Sequence, residues 1–171
     1  TFTKALLNDV MALERLLETD RIETGIRRIG AEQEMFLIDR RHHAAPVVMK
    51  VLDKADDPRL TTELAKYNIE ANLSPQVFGA DCLSRMEAEL TDVVDRVREA
   101  AAHQDADVLL VGILPTLRRS DIHLDQMTPK QRYAELNRVM QRLRGQHFHV
   151  LIKGLDQLEM THDSVMLEAC N

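Results

Sequence analysis

The segment 67–74 constrains the fold of this chain most, because polar and apolar residues alternate along it without a break. The polar positions are Asn68, Glu70, Asn72 and Ser74, and the apolar positions are Tyr67, Ile69, Ala71 and Leu73. Successive side chains of a strand point to opposite faces of its sheet. We therefore predict a strand over 67–73 with one face that is polar throughout and one that can be covered.

A second strand is predicted over 29–39, a segment rich in strand-forming residues that is followed by a polar turn. Glu32 and Glu34 share one face of this strand, about two strand rises, or roughly 6.5–7 Å, apart. If the two strands are neighbours, Glu70 meets both glutamates. Carboxylate oxygens are ligands for hard cations such as Mg²⁺, so the arrangement predicts a metal site. A solvated outer sheet face is the alternative.

Glu63 differs from the other three glutamates, because strand parity places it opposite to Glu70. The two residues are seven positions apart, so in an uninterrupted strand their side chains point to opposite faces. Glu63 joins the other carboxylates only if a bulge or a turn intervenes.

Periodicity along the rest of the chain predicts helices alternating with further strands. Helices are predicted at 3–19, 82–104 and 128–143, and strands at 45–49, 106–114, 148–152 and 158–162. Thr128 and Pro129 are typical of a helix start, and the unbroken apolar run 108–111 predicts a strand at the centre of the sheet. The order predicts an α+β fold and disfavours a Rossmann fold.

Composition sets the broad class of protein. Hydrophobic residues make up 44% and charged residues 29%, which is near the globular average and predicts one domain over 1–171. The net charge of −6 and the 4% aromatic content argue against nucleic-acid binding. No apolar run is long enough to span a membrane. The two cysteines lack metal-ligand spacing, and a cytoplasmic location is expected.

Several short motifs, taken in order, resemble those of a known family. They are Gly30-x-Glu32-x-Glu34, Thr61-Thr62-Glu63 with Glu70 seven residues later, Ser-Pro-Gln-Val-Phe at 74–78, and His-Asp-Ser-Val-Met at 162–166. This series resembles the glutamate–cysteine ligase superfamily. The residues within the motifs are most similar to those of the bacterial type-2 carboxylate–amine ligase branch. The resemblance extends over roughly residues 30–171.

The resemblance implies a partial glutamine-synthetase-like antiparallel sheet with covering helices, which carries acidic ligands for Mg²⁺. Members of this family use ATP to phosphorylate a carboxylate, often that of glutamate, and an amine then displaces phosphate to form an amide. The expected partners are therefore a small-molecule carboxylate and an amine. No P-loop is needed, because metal ions and basic side chains would hold the phosphates.

Matched to the family motifs, six positions receive site roles. Glu32, Glu34 and Glu70 match metal ligands, and Glu63 matches a position that binds metal or the amine. Arg132 and Tyr133 resemble an Arg-Tyr pair that binds phosphate or substrate carboxylate, with Arg132 also assigned as catalytic. Guanidinium matches such oxyanions with two parallel hydrogen bonds. Core packing is the alternative for Tyr133.

The chain is much shorter than a complete ligase of this kind, so we expect it to be the N-terminal portion of a ligase catalytic domain. The open strand edge and apolar surface of such a partial sheet favour a homo-oligomer. Two rival interpretations remain. One is a non-catalytic cation-binding or regulatory domain that retains the fold, and the other is a Mg²⁺-dependent phosphotransferase.

Overall fold

A computed structural model describes residues 2–144 and 148–162 of the chain and shows the predicted α+β fold. In chain order the elements are α1 Phe2–Glu18, β1 Arg28–Ile29, β2 Glu32–Asp39, α2 Val48–Ala55, β3 Leu60–Thr62, β4 Asn68–Asn72, β5 Gln76–Val77, α3 Cys82–Ala102, β6 Ala106–Leu109, a 3-10 turn Leu124–Gln126, α4 Gln131–Arg144, β7 Phe148–Lys153 and β8 Gln157–His162.

The main sheet has four antiparallel strands in the order β3-β4-β2-β6. Strands β2 and β4 pair with Glu34 directly opposite Glu70, and β2 pairs with β6 through Phe36 and Leu109. The strands predicted at 29–39 and 67–73 are therefore neighbours in the sheet. Two smaller antiparallel ladders, β1-β5 and β7-β8, complete the strands that the structure describes, and the second is the predicted hairpin.

One face of this sheet packs against α2 and α3 and forms the larger core. Leu37 of β2 and Ile69 of β4 are wholly buried there, together with Val93 and Val97 of α3. These residues follow the strand period of two and the helical spacing of three to four, which is why the sequence predicts them correctly. Leu83, predicted to belong to the same helix stripe, is instead 67% exposed, whereas its neighbour Cys82 is buried.

A second, smaller core lies on the opposite face, next to the acidic positions. Phe36, Ile38, Tyr67 and Leu114 are buried in it, and the rings of Phe36 and Tyr67 stack with centroids 6.2 Å apart. Strand parity predicts Tyr67 on the face of Ile69, and this prediction is wrong. Strand β4 begins only at Asn68, so the side chain of Tyr67 need not follow the alternation of faces within the strand.

Three further predictions about single elements are wrong. The segment 45–49 forms no strand and instead leads into α2, which begins at Val48. Strand β6 ends at Leu109 and lies at an edge of the main sheet, although helix α3 and the second core cover its two faces. Helix α4 begins at Gln131, three residues after Thr128, so Thr128 is not its N-cap.

Helix α1 has the predicted amphipathic pattern but no buried residue. Its apolar side chains are all at least 45% exposed: Phe2, Leu6, Leu7, Val10, Met11, Leu13, Leu16 and Leu17. The prediction of a helix is confirmed, while packing of its apolar face is not seen among residues 2–144 and 148–162. Within the same residues, no helix has the length and apolar character that crossing a membrane requires.

Candidate metal site

Two carboxylates meet at the centre of the main sheet because of the strand register. Glu34 on β2 lies directly opposite Glu70 on β4, and Thr61 on β3 lies on the other side of Glu70. The Cβ atoms of directly opposed residues are about 4.5–5.5 Å apart, and like charges in such a pair are destabilising. A cation bound between them would offset this repulsion.

Glu63 completes a group of three. Carboxylate oxygens of Glu34, Glu63 and Glu70 all lie within 4.8 Å of one another, and all three side chains are half-buried. The chain leaves β3 after Thr62 and enters β4 at Asn68, so a turn frees Glu63 from strand parity. We call Glu34, Glu63 and Glu70 the acidic cluster.

Glu32, the remaining carboxylate assigned to metal by the resemblance, lies outside this cluster. It is exposed on the same strand face as Glu34 and pairs with Asn72 across the ladder. Asn72 donates a hydrogen bond of 2.6 Å from Nδ2 to Oε1 of Glu70, which fixes the orientation of that carboxylate. The metal role of Glu32 stays a prediction, and Asn72 is a neighbour that the alternating pattern places beside Glu70.

Two carboxyl groups of the cluster have raised pKa values, because they are partly buried and lie close to other carboxylates. The pKa of Glu63 is raised to about 7, first by burial and then by a hydrogen bond shared with Glu70. The pKa of Glu34 is also raised, first by burial and then by the charges of Glu70 and Glu32. Within the part of the chain that the structure describes, no lysine or arginine forms a salt bridge with any of the three carboxylates.

The raised pKa of Glu63 predicts how pH affects the metal-free protein. Between about pH 4.5, the ordinary pKa, and about pH 7, the folded state holds a proton that the unfolded state has lost, so stability falls as pH rises. Glu63→Gln removes this dependence. Its melting temperature in a chelating buffer should exceed that of the wild type by a margin of a few degrees that grows across this range. A margin independent of pH would contradict the prediction.

Arg132 and Tyr133 lie beside the cluster at the start of α4. The Tyr133 ring is 6% exposed, and its hydroxyl donates to the carbonyl oxygen of Thr62 at 3.1 Å while it accepts from Nη2 of Arg132 at 2.6 Å. The Arg132 guanidinium also stacks on this ring, 4.6 Å from its centroid. The pKa of Arg132 is raised by the Tyr133 hydrogen bond first and also by the charges of Glu63 and Glu70. Arg132 is exposed and available to an anionic ligand at the edge of the cluster.

The donor set fits Mg²⁺, which binds carboxylates and retains several waters. A second observation concerns the hydrogen bonding of a polar residue near this site. Asn68 is wholly buried on the strand face of Glu70, and within the described residues neither polar atom of its side chain has a hydrogen-bond partner. Buried amides of this kind are normally satisfied by water or by a bound group. The sequence pattern includes Asn68 in the polar face, but nothing in it shows that this residue is buried.

Comparison with known proteins adds a single match. Residues 28–168, which include the whole acidic cluster and the Arg132-Tyr133 pair, match glutamate-cysteine ligase family 2 (GCS2). No curated protein and no solved structure gave a significant match.

Proposed function

The chain belongs to glutamate-cysteine ligase family 2, and on that premise we propose that it carries the Mg²⁺ site of an ATP-dependent carboxylate–amine ligase. The observation that carries the proposal is the acidic cluster, in which Glu34, Glu63 and Glu70 hold carboxylate oxygens within 4.8 Å. Without a bound cation, repulsion between the three carboxylates destabilises the folded protein. The presence of the cluster on the one polar face of the sheet is explained by a bound cation.

In the proposed reaction, the γ-phosphoryl group of ATP passes to a carboxylate oxygen of the first substrate, which gives an acyl-phosphate and ADP. The amine nitrogen then bonds to the acyl carbon, phosphate leaves and the amine loses a proton. Mg²⁺ supplies charge neutralisation for the phosphate oxygens during transfer. No protein nucleophile is consumed in either step, which suits a site made of carboxylates and an arginine.

The roles of the protein side chains follow from their positions. Glu34, Glu63 and Glu70 would hold the metal ion, since their oxygens converge. Arg132, exposed beside them, would bind a phosphate or the substrate carboxylate through its free guanidinium edge. Tyr133 fits a supporting role, because its hydroxyl already bonds both Arg132 and Thr62. Direct contact between Tyr133 and the substrate stays a prediction.

Product analysis tests the reaction. With ATP, Mg²⁺, glutamate and a panel of amino-acid amines, the full-length protein should form ADP, phosphate and an amide in equal amounts. Arg132→Gln should lower turnover by about 10²-fold, the size of effect seen when one charge-stabilising donor is lost, without weakening Mg²⁺ binding. Phosphate release without an amide would replace the ligase with an ATPase or phosphotransferase. Mg²⁺ binding without any turnover would support the non-catalytic cation-binding domain.

A further inference from the structure

The turn that carries Glu63 is held by a distant part of the chain. Residues 63–67 connect β3 to β4, and residues 126–133 lie along this connection and bond to it repeatedly. The contacts are Lys66 N to Gln126 O at 2.8 Å, Thr128 N to Leu64 O at 2.7 Å, Thr128 Oγ1 to Glu63 O at 2.6 Å, Tyr133 Oη to Thr62 O at 3.1 Å, and a bridge between Ala65 and Met127. We call residues 126–133 the clamp.

Within the clamp, Thr128 makes the contact closest to the cluster. Its side chain is 2% exposed, and its hydroxyl donates to the carbonyl oxygen of Glu63 itself. The adjacent backbone amide of Thr128 holds the next carbonyl, that of Leu64. The two consecutive peptide planes that flank the Leu64 Cα are thereby fixed, and the first of them contains the Leu64 amide, which donates to Oε2 of Glu63 at 3.0 Å.

Thr128 is not the N-cap of α4. A threonine followed by proline is typical of a helix N-cap, but here the helix begins only at Gln131. The hydroxyl of Thr128 donates to a turn 65 positions earlier in the chain.

We propose that Thr128 is a positioning residue for the acidic cluster, and that its hydroxyl holds Glu63 in reach of Glu34 and Glu70. This inference rests on the proposed function, in that the cluster is a Mg²⁺ site. Glu63 lies in the turn between β3 and β4, outside the strand ladders. Strand pairing fixes Glu34 and Glu70, whereas Glu63 depends on the clamp.

The test compares three proteins that differ at one hydroxyl. Thr128→Val keeps the shape of the side chain and removes the donor, and Thr128→Ser keeps the donor. Mn²⁺, which prefers the same oxygen ligands, is titrated into each metal-free protein, and the free ion is followed by electron paramagnetic resonance, with Mg²⁺ as competitor. The valine variant should bind both ions about 10–100-fold more weakly, as is typical when a partner of a metal ligand is lost, and the serine variant within about threefold of the wild type.

The outcomes separate this inference from the proposed function. Wild-type affinity in a folded Thr128→Val protein would overturn the role of Thr128 alone, as would equal losses in the serine and valine variants. A wild-type protein that binds neither ion would overturn the proposed function together with the inference. If circular dichroism shows that the valine variant is unfolded, Thr128→Ala, which introduces no added bulk, takes its place with the same expected loss.

Discussion

Glutamine in place of Glu70 should lower the affinity of the protein for Mg²⁺ by at least about 100-fold, more than loss of an indirect partner does. Glu70 is the central member of the acidic cluster, with Glu34 opposite it on one side and Thr61 on the other. The glutamine side chain still accepts the hydrogen bond from Asn72, so the change removes the charge and leaves the local geometry in place. Turnover in the proposed ligation should fall by about 10²–10³-fold.

The same substitution should leave the metal-free protein at least as stable as the wild type, because it removes like-charge repulsion at a directly opposed pair. A variant that loses Mg²⁺ affinity while its metal-free form loses no stability would identify the carboxylate as a ligand. Glu87→Gln, the same chemical change on the exposed surface of α3, is the matched control and should alter neither quantity. If Glu70→Gln and Glu87→Gln bind Mg²⁺ equally well, the cluster is not the metal site.

Truncation of Phe36 to alanine should lower the free energy of unfolding by about 3–5 kcal/mol, the usual cost of emptying a buried aromatic site. Phe36 is wholly buried and stacks on Tyr67 in the second core. It also follows Glu34 by two residues on the same strand face, so a collapse of this core would displace Glu34 from its position in the cluster. In a protein of this length, the loss corresponds to a fall of about 10 °C or more in melting temperature.

Denaturant titration of Phe36→Ala beside Phe2→Ala checks this expectation. Phe2 is 82% exposed on α1, so the same truncation there should cost less than about 0.5 kcal/mol. Equal stability of the two variants would show that the second core contributes nothing to the fold. Mg²⁺ affinity of the folded fraction should also fall for Phe36→Ala and stay unchanged for Phe2→Ala.

The parts of the fold that sequence predicts well are those whose pattern is local. The alternation at 67–73 and the strand-forming residues at 29–39 predict two strands, and the structure pairs them with Glu34 opposite Glu70. The apolar spacing at 82–104 likewise predicts α3, which spans Cys82–Ala102. In each case the side chains that share a face are set by the period of the element itself.

The parts that sequence does not predict depend on contacts between distant segments. Glu63 enters the cluster because residues 126–133 hold the turn between β3 and β4, and no local period encodes that contact. Strand β6 illustrates the same limit. Its apolar run correctly indicates coverage on both faces, but coverage by α3 and by the second core can occur at an edge as well as at the centre of a sheet.

The acidic cluster and the clamp lie far apart along the chain, so they leave the ribosome at different times during synthesis. Glu34, Glu63 and Glu70 are translated first, and Thr128 follows much later. The hydrogen bonds between the clamp and the turn of Glu63 can form only after the chain has been extended past Thr128. The cluster is therefore completed by a segment translated long after its own residues.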